Sequence, residues 1–298
     1  MQHTLHFDNI ITQPLYAVWL PQGITLDVLR LDALHDVVSG NKWFKLKYYL
    51  AAAQQSGCNT VATFGGAYSN HIIATAFACK AAGLKSIGII RGERPAILSH
   101  TLQQALACGM QLHFVTRQAF KNKQAVKQQF LNVYWVNEGG HGAEGARGAA
   151  EILAFAGQPA SFTNIVCAVG TGTMFAGLVN SAEASQTITG VSVLKNNFSI
   201  HDEISALLIP RTNLPQWQIV HDYHFGGYAK HPAALIQFMQ EVWQTCKLPT
   251  DIVYTAKTLY AIRGLIQQGA IMPGSRVLMI HSGGLQGNMS LAAGVLPF

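Results

Sequence analysis

The amino-acid sequence predicts an α/β protein with a mainly parallel sheet, and three observations support this prediction. From about residue 59 onward, short apolar segments rich in β-branched residues alternate with helix-like segments. Several of the apolar segments are apolar throughout, as expected for parallel strands covered on both faces. Most of the helix-like segments are closed by a nearby glycine. This order is typical of βαβ units, whose helices lie on both faces of the sheet.

The individual elements follow from the local patterns in chain order. Short β-branched or apolar runs predict strands at residues 60–64, 86–91, 111–115, 164–169, 188–194 and 277–280. The segments between them predict helices at residues 45–55, 71–82, 98–107, 143–156, 232–246 and 256–268. A weak domain boundary lies at residues 157–163, where loop-forming residues precede a new strand.

Length and composition describe a protein that folds by burying apolar side chains. The chain has 298 residues, of which 49% are hydrophobic and 11% are charged. No apolar run approaches the ~20 residues of a membrane span, and residues 1–13 lack the pattern of a signal peptide. The five cysteines form no C-x-x-C pair, so we expect them to be reduced. These features predict a cytoplasmic protein.

The formal charge of +6 raises the question of a nucleic-acid partner. Four basic residues fall at helical spacing, which predicts one solvated helix face: Arg117, Lys121, Lys123 and Lys127. No basic repeat is interleaved with aromatic residues, as in many nucleic-acid-binding segments. We therefore expect no nucleic-acid partner and interpret the charge as a field that attracts small anionic substrates.

The segment VGTGTMFAG, residues 169–177, follows a predicted strand and opens a helix. Backbone N–H groups at such a turn bind anions, although an ordinary tight turn has the same pattern. A dinucleotide site would need a third glycine where this chain has Phe175, and an acidic residue after the next strand. A Gly-Lys-Ser/Thr phosphate loop is also missing. A single phosphate group fits this segment best.

Three further segments lie at predicted strand or helix ends. A lysine at a helix start is usually just solvated, a Ser-Asn pair is usually an N-cap, and a Gly-Gly pair often forms an ordinary turn. Each segment alone therefore indicates little. The three segments are SGNKWFKLK at residues 39–47, GGAYSNH at residues 65–71, and HSGG at residues 281–284.

Together and in this order, the four segments resemble the fold-type II pyridoxal-phosphate enzymes. Within them, they resemble the group that contains 1-aminocyclopropane-1-carboxylate deaminase and D-cysteine desulfhydrase. The resemblance covers nearly the whole chain, including residues 138–140 and 249–257. It implies a two-domain fold like that of the tryptophan synthase β subunit. Residues 1–46 and 158–298 would form the large cofactor-binding domain, and residues 47–157 the smaller one.

The resemblance also assigns residues to the cofactor, pyridoxal 5′-phosphate. Lys42 would hold it as a Schiff base, and Asn70 would bond its 3′-oxygen. Ser282 would meet the pyridine nitrogen. The glycine-rich loop would cradle the phosphate through Gly170, Thr171, Gly172 and Thr173.

Five side chains are expected to bind the substrate or act on it. Lys42, once free of the cofactor, is the expected base for the Cα proton. Ser69 and Asn70, with His71 beside them, would bind the substrate, and Ser69 is a candidate for catalysis. Tyr228 would lie near the substrate and the cofactor ring; a packed surface aromatic is the alternative for this residue.

The chain also departs from the family pattern. Phe44 and Lys47 replace an arginine and a glutamate, which removes a pairing that we expect near the entrance. Ala229 stands where the deaminase carries a glutamate after its active-site tyrosine. His71 and Ser282 replace a glutamine and a leucine. These differences favour β-elimination over opening of a cyclopropane ring.

The leading hypothesis is a lyase similar to D-cysteine desulfhydrase, giving pyruvate, ammonia and sulfide, and acting as a homodimer. The alternatives are a 1-aminocyclopropane-1-carboxylate deaminase, an inactive pyridoxal-phosphate carrier or amino-acid sensor, and a nucleotide-binding oxidoreductase. We expect no metal site, because His221, His224 and His231 lack partner ligands at a recognised spacing.

Overall fold

The computed structural model describes residues 5–35, 37–38 and 40–298. Ser39, the first residue of the lysine motif, lies outside the described residues. Within them the chain forms strands β1 (Thr12–Pro14), β2 (Thr25–Arg30), β3 (Thr60–Gly65), β4 (Lys85–Arg91), β5 (Gln111–Val115), β6 (Tyr134–Val136), β7 (Asn164–Val169), β8 (Thr187–Ser192), β9 (Gln216–Val220) and β10 (Arg276–His281).

The helices connect these strands and cover them. They are α1 (Asn41–Gln55), α2 (Asn70–Ala81), α3 (His100–Ala107), α4 (Arg117–Lys121), α5 (Lys123–Lys127), α6 (Ala143–Ala149), α7 (Thr173–Ser181), α8 (Ile200–Ser205), α9 (Ala233–Cys246) and α10 (Thr255–Gln267). Short 3₁₀ turns lie between them, for example at Ile152–Ala156 and Leu285–Ser290. No helix in the described ranges is long and apolar enough to cross a membrane.

The strands form two sheets. The larger one has the order β1-β2-β10-β7-β8-β9, and the smaller one has the order β5-β4-β3-β6. All neighbouring strands are parallel except β1 and β2. Because parallel strands end at one edge of a sheet, the loops after β2, β10, β7 and β8 lie on the same edge. Ligands of open α/β sheets bind at this edge.

Alternate residues of the larger sheet point to two different cores. Leu278 and Ile280 of β10 pack with α1, α6 and α7, whereas Val277 and Met279 pack with α9 and α10. The smaller sheet is also covered on both faces, by α1, α2 and α3 on one face and by α4 and α5 on the other. The predicted α/β class with mostly parallel sheets and helices on both faces is confirmed.

Helices α1, α6 and α7 approach each other closely through glycines. A side chain at Gly148 of α6 would collide with the carbonyl oxygen of Phe44 in α1, and a Cβ at Gly177 of α7 would lie 2.5 Å from that of Ala149. The predicted smaller domain, residues 47–157, contains every strand of the smaller sheet. Its last residues, 143–156, nevertheless pack in this way against the larger sheet. The two-domain division stays a prediction, and these contacts favour a boundary before residue 143.

All six predicted strands are present, with ends shifted by at most two residues. The predicted helix at 143–156 was wrong in its second half, because α6 ends at Ala149 and a 3₁₀ turn follows. The basic segment at 117–127 is two short helices that break at Asn122, whose side chain caps the second. The four basic residues therefore do not lie on one continuous helix, and Lys123 forms a partly exposed ion pair with Glu138 at 2.7 Å.

Candidate active site

A cavity of about 590 Å³ is lined by the segments that follow strands of both sheets, a size suited to a cofactor and a small substrate. Residues from the ends of β3, β4 and β6 form one side, and residues that follow β7, β8 and β10 form the other. The structure brings nine of the ten predicted site residues to this cavity: Lys42, Ser69, Asn70, His71, Gly170, Thr171, Gly172, Tyr228 and Ser282.

Lys42 lies in the first turn of α1, which begins next to the end of β10. The backbone N–H of Asn41 donates to the carbonyl oxygen of Ser282 at 3.2 Å, so the start of the helix is fixed to that loop. The Nζ atom of Lys42 donates to Oδ1 of Asn41 at 3.0 Å. Burial lowers the pKa of Lys42 to about 8, and the charge of Asp251 opposes this shift. A substantial fraction of this amine is therefore neutral and nucleophilic near pH 8.

Ser282 is fixed by the residue before it. The ring of His281 is completely buried, and its Nε2 donates to the carbonyl oxygen of Pro249 at 2.8 Å. Its Nδ1 lies 3.0 Å from a carboxylate oxygen of Asp32, which also accepts two hydrogen bonds from Arg30. Ser282 therefore presents a neutral hydroxyl to the cavity from a rigid position.

Ser69 and Asn70 lie at the turn between β3 and α2. Ser69 occupies the N-cap position, yet its hydroxyl makes no capping hydrogen bond. It is therefore free for a ligand. Gly284 keeps the space beside Asn70 open, because a Cβ there would lie 3.4 Å from Nδ2 of Asn70 and 3.3 Å from the ring of Tyr254.

His71 lines the cavity, but its ring is fixed in the core. Its Nε2 lies 2.8 Å from the hydroxyl of Thr63, and only 3% of the residue is exposed. Burial and the charges of Lys42 and Lys45 keep the pKa of His71 well below its usual value, so the ring is neutral. Its contact with the substrate stays a prediction.

The loop after β7 has the geometry of an anion cradle. Gly172 has a φ of 70°, a left-handed conformation that suits glycine, and α7 begins directly after it. The unpaired N–H groups of the first helical turn therefore belong to the same loop. The hydroxyl of Thr173 does not line the cavity but lies 3.2 Å from Nδ1 of His141. Thr173 can thus contribute its backbone N–H but not its side chain.

Lys45 is a cavity residue that was not predicted. Its Nζ donates to the carbonyl oxygen of Gly139 at 2.7 Å and to the hydroxyl of Thr171 at 3.4 Å, and only 4% of the residue is exposed. No carboxylate in the described part of the chain forms an ion pair with it. Burial and the charge of Lys42 keep the pKa of Lys45 well below its usual value, and a phosphate bound at the anion cradle would supply the missing counter-charge.

Tyr228 and Tyr254 form an aromatic wall of the cavity. Their ring centroids are 6.3 Å apart, with one ring edge-on to the other, and Nζ of Lys42 lies 5.9 Å from the centroid of Tyr254. Desolvation at the cavity raises the pKa of both hydroxyls, although half of Tyr228 is exposed, and the neighbouring Tyr228 raises that of Tyr254 further. Both hydroxyls are therefore protonated at neutral pH and can donate a hydrogen bond.

Asp251 holds Tyr254 in place. Tyr254 is a second cavity residue that was not predicted from the sequence. The fully buried Asp251 carboxylate accepts hydrogen bonds from the N–H groups of Val253, Tyr254 and Thr255 at 2.8–2.9 Å. Asp251 stands three residues before Tyr254, the N-cap residue of α10, so the usual N-cap pattern does not indicate this turn. Lys45 could have been found as the residue one helical turn after Lys42.

Three departures from the family pattern lie away from the cavity. Phe44 is buried in the core against Phe155, and Lys47 pairs with Glu151, so the expected change at the entrance was wrong. Ala229 does not line the cavity and packs with α9. Its identity therefore carries no direct information about the reaction.

The histidines near Tyr228 take part in loop contacts. Nδ1 of His224 accepts from the N–H of Gly226 at 2.9 Å, and Nδ1 of His231 lies 2.7 Å from the carbonyl oxygen of Ala229. Among the residues that the structure describes, no three His, Cys, Asp or Glu side chains are arranged to hold a metal ion.

A family profile and several named proteins match most of this chain. A family profile described as "Pyridoxal-phosphate dependent enzyme" matches residues 24–283. A Thermotoga maritima protein provisionally named 1-aminocyclopropane-1-carboxylate deaminase is 32% identical, over 89% of this chain and 90% of its own length. An Arabidopsis thaliana mitochondrial protein named bifunctional D-cysteine desulfhydrase/1-aminocyclopropane-1-carboxylate deaminase is 26% identical, over 90% of this chain and 74% of its own length. A Salmonella typhi protein named D-cysteine desulfhydrase is 24% identical, over 95% of this chain and 96% of its own length.

Solved structures share the fold. A crystal structure of a 1-aminocyclopropane-1-carboxylate deaminase homologue has a TM-score of 0.80 at 24% identity, over 93% of this chain and 90% of that one. An O-acetylserine-dependent cystathionine β-synthase from Helicobacter pylori has a TM-score of 0.69 at 14% identity, over 99% of both chains. The expected fold-type II architecture is confirmed. The family match also decides against a nucleotide-binding oxidoreductase.

Proposed function

The chain belongs to the pyridoxal-phosphate dependent enzymes, and on that premise we propose that it catalyses β-elimination from D-cysteine. The products would be pyruvate, ammonia and sulfide. The observation that carries this proposal is the convergence of an amine, a free hydroxyl and two phenols on one cavity: Lys42, Ser69, Tyr228 and Tyr254.

The residues present fit pyridoxal phosphate. Lys42 supplies a buried amine whose pKa is lowered to about 8, which suits covalent attachment of an aldehyde. The loop at Gly172 and the buried amine of Lys45 fit the phosphate. Asn70 and Ser282 line the space between them. When bound, the cofactor supplies the electron sink that stabilises negative charge at the substrate's α-carbon.

The chain's own residues divide the remaining tasks. The amine of Lys42 takes the proton from the α-carbon. The Ser69 hydroxyl and the N–H groups at the start of α2 bind the substrate carboxylate. The hydroxyls of Tyr228 and Tyr254 donate hydrogen bonds to the sulfur as its bond to the β-carbon breaks, so that it leaves as hydrosulfide with the proton it already carries.

One feature favours β-elimination over deamination of 1-aminocyclopropane-1-carboxylate. Ser282 is a neutral group, so it does not stabilise a protonated pyridine nitrogen as a carboxylate would. Ring opening of a cyclopropane is the more demanding reaction. Deaminase activity remains the second candidate because relatives carry that name.

A substrate screen tests the proposed reaction. Purified holoenzyme is assayed with D-cysteine, L-cysteine, D-serine, β-chloro-D-alanine and 1-aminocyclopropane-1-carboxylate, and 2-oxo acid, ammonia and sulfide are measured. We expect pyruvate and sulfide in equal amounts from D-cysteine and the highest kcat/KM for this substrate. Lys42→Ala should abolish turnover, whereas Lys47→Ala, which lies outside the cavity, should leave it unchanged.

Other outcomes of the screen are equally informative. Formation of 2-oxobutyrate from the cyclopropane substrate, without activity on D-cysteine, would replace β-elimination by the deaminase reaction. Spectral shifts of the bound cofactor with every amino acid, but no product from any, would support a carrier or sensor instead.

The position of Lys45 leads to a prediction about cofactor affinity. Lys45→Met removes a buried cation from the phosphate cradle, so it should weaken pyridoxal phosphate binding by about 10- to 100-fold, or about 1.5–3 kcal/mol. Pyridoxal, which lacks the phosphate, serves as the control ligand, and its dissociation constant should change little. Both constants can be measured by fluorescence titration of apoprotein. An equal loss for the two ligands would show that Lys45 does not act on the phosphate.

We also propose a cytosolic location and a homodimer. All five cysteines are free, which suits a reducing compartment. Tyr16 and Val18, in the connection between β1 and β2, are 83% and 93% exposed, and a second copy of the chain would cover these apolar side chains. Sedimentation as a single chain would contradict the dimer, and recovery of the protein outside the cytosolic fraction would contradict the location.

A further inference from the structure

The loop that carries Tyr228 has an unusual backbone. Between residues 225 and 229, four of five residues have a positive φ: Phe225 at 52°, Gly226 at 95°, Gly227 at 123° and Ala229 at 55°. Phenylalanine and alanine rarely adopt this conformation, which costs free energy and persists only when the surroundings impose it. Some other group must therefore hold the loop in this shape.

Lys257, in the first turn of α10, is that group. Its Nζ donates to the carbonyl oxygen of His224 at 2.9 Å and to that of Gly227 at 2.8 Å, so it links the two ends of the turn that precedes Tyr228. The residue is completely buried. An ammonium group is costly to bury, and a methionine of similar length would fill the same volume. The charge is therefore used for these two hydrogen bonds.

Asp251 connects Lys257 to the other cavity tyrosine. Its carboxylate bonds the N–H groups at the start of α10 and so fixes Tyr254, and its negative charge opposes the loss of the proton from Lys257. The two tyrosines are thus positioned from one buried turn, Tyr254 through the carboxylate and Tyr228 through the ammonium group. Neither charged side chain lines the cavity.

We propose that Lys257 is a positioning residue for the reaction: it holds the loop 224–228 so that the hydroxyl of Tyr228 meets that of Tyr254 beside the substrate. The inference rests on the proposed role of Tyr228 as a hydrogen-bond donor to the departing sulfur. It assigns to Lys257 no contact with the cofactor or the substrate. Removing the ammonium group should therefore impair the same step as removing the Tyr228 hydroxyl, and leave cofactor binding intact.

A double-mutant cycle on the holoenzyme tests this inference. Lys257→Met should lower kcat by about 10- to 100-fold, with the dissociation constant of pyridoxal phosphate and its absorbance band unchanged. Combined with Tyr228→Phe, it should add almost nothing to the loss caused by Tyr228→Phe alone, because both changes remove one function. Lys257→Gln keeps an N–H donor and should recover part of kcat. Lys247→Met, on the surface after α9, is the matched control and should match the wild type.

Hydrogen exchange supplies a readout that does not need turnover. Amides of residues 224–230 should exchange at least about 10-fold faster in Lys257→Met than in the wild type, while those of α7 at the phosphate cradle stay unchanged. If the wild type turns over no substrate, the proposed function fails, and exchange alone decides the role of Lys257.

Three results would overturn the inference. They are additive losses in the cycle, unchanged exchange of residues 224–230, and loss of the folded holoenzyme in both Lys257→Met and Lys257→Gln. The last result would make Lys257 a residue of the fold as a whole.

Discussion

The contact between the backbones of Gly40 and Ser282 is the constraint on which the site depends. A side chain at Gly40 would collide with the carbonyl group of Ser282, and the φ of 64° at Gly40 also suits glycine. This contact joins the loops that follow β2 and β10, so α1 begins at the carboxyl edge of the larger sheet. Lys42 and Ser282 consequently lie on one wall of the cavity, and α1 continues to the smaller sheet, which contributes Ser69 and Asn70 to the opposite wall.

Buried charges then give this wall its chemistry. Two lysines, Lys42 and Lys45, line the cavity, and a third, Lys257, is buried behind it; their environments differ. Lys45 has only neutral partners and faces the anion cradle, which suits a phosphate. Lys42 and Lys257 are both near Asp251, and the pKa of each is lowered to about 8. Lys42 reaches the cavity and is available as an amine, whereas Lys257 bonds two backbone carbonyl groups and shapes a loop.

The parts of this arrangement that the sequence predicts are local ones. A glycine at a strand end, such as Gly172, indicates that another group approaches the backbone closely there. This signal does not depend on how the rest of the chain is arranged. The strand Thr25–Arg30 escaped prediction because Asp27 interrupts its apolar pattern, although the parallel neighbour β10 pairs with all six of its residues. Tyr254 and Lys257 were missed for a related reason. Their positions depend on where α10 packs against the larger sheet. The spacing of residues along the sequence does not reveal that packing.

Lys42, rather than Lys45 or Lys257, carries the cofactor, and covalent mapping identifies the modified lysine. Holoenzyme is reduced with borohydride and digested, and the peptides are sequenced by mass spectrometry. We expect a pyridoxyl group on Lys42, with Lys45 and Lys257 unmodified. A pyridoxyl group on Lys45 or Lys257, or a fully loaded enzyme in which Lys42 stays unmodified, would contradict it.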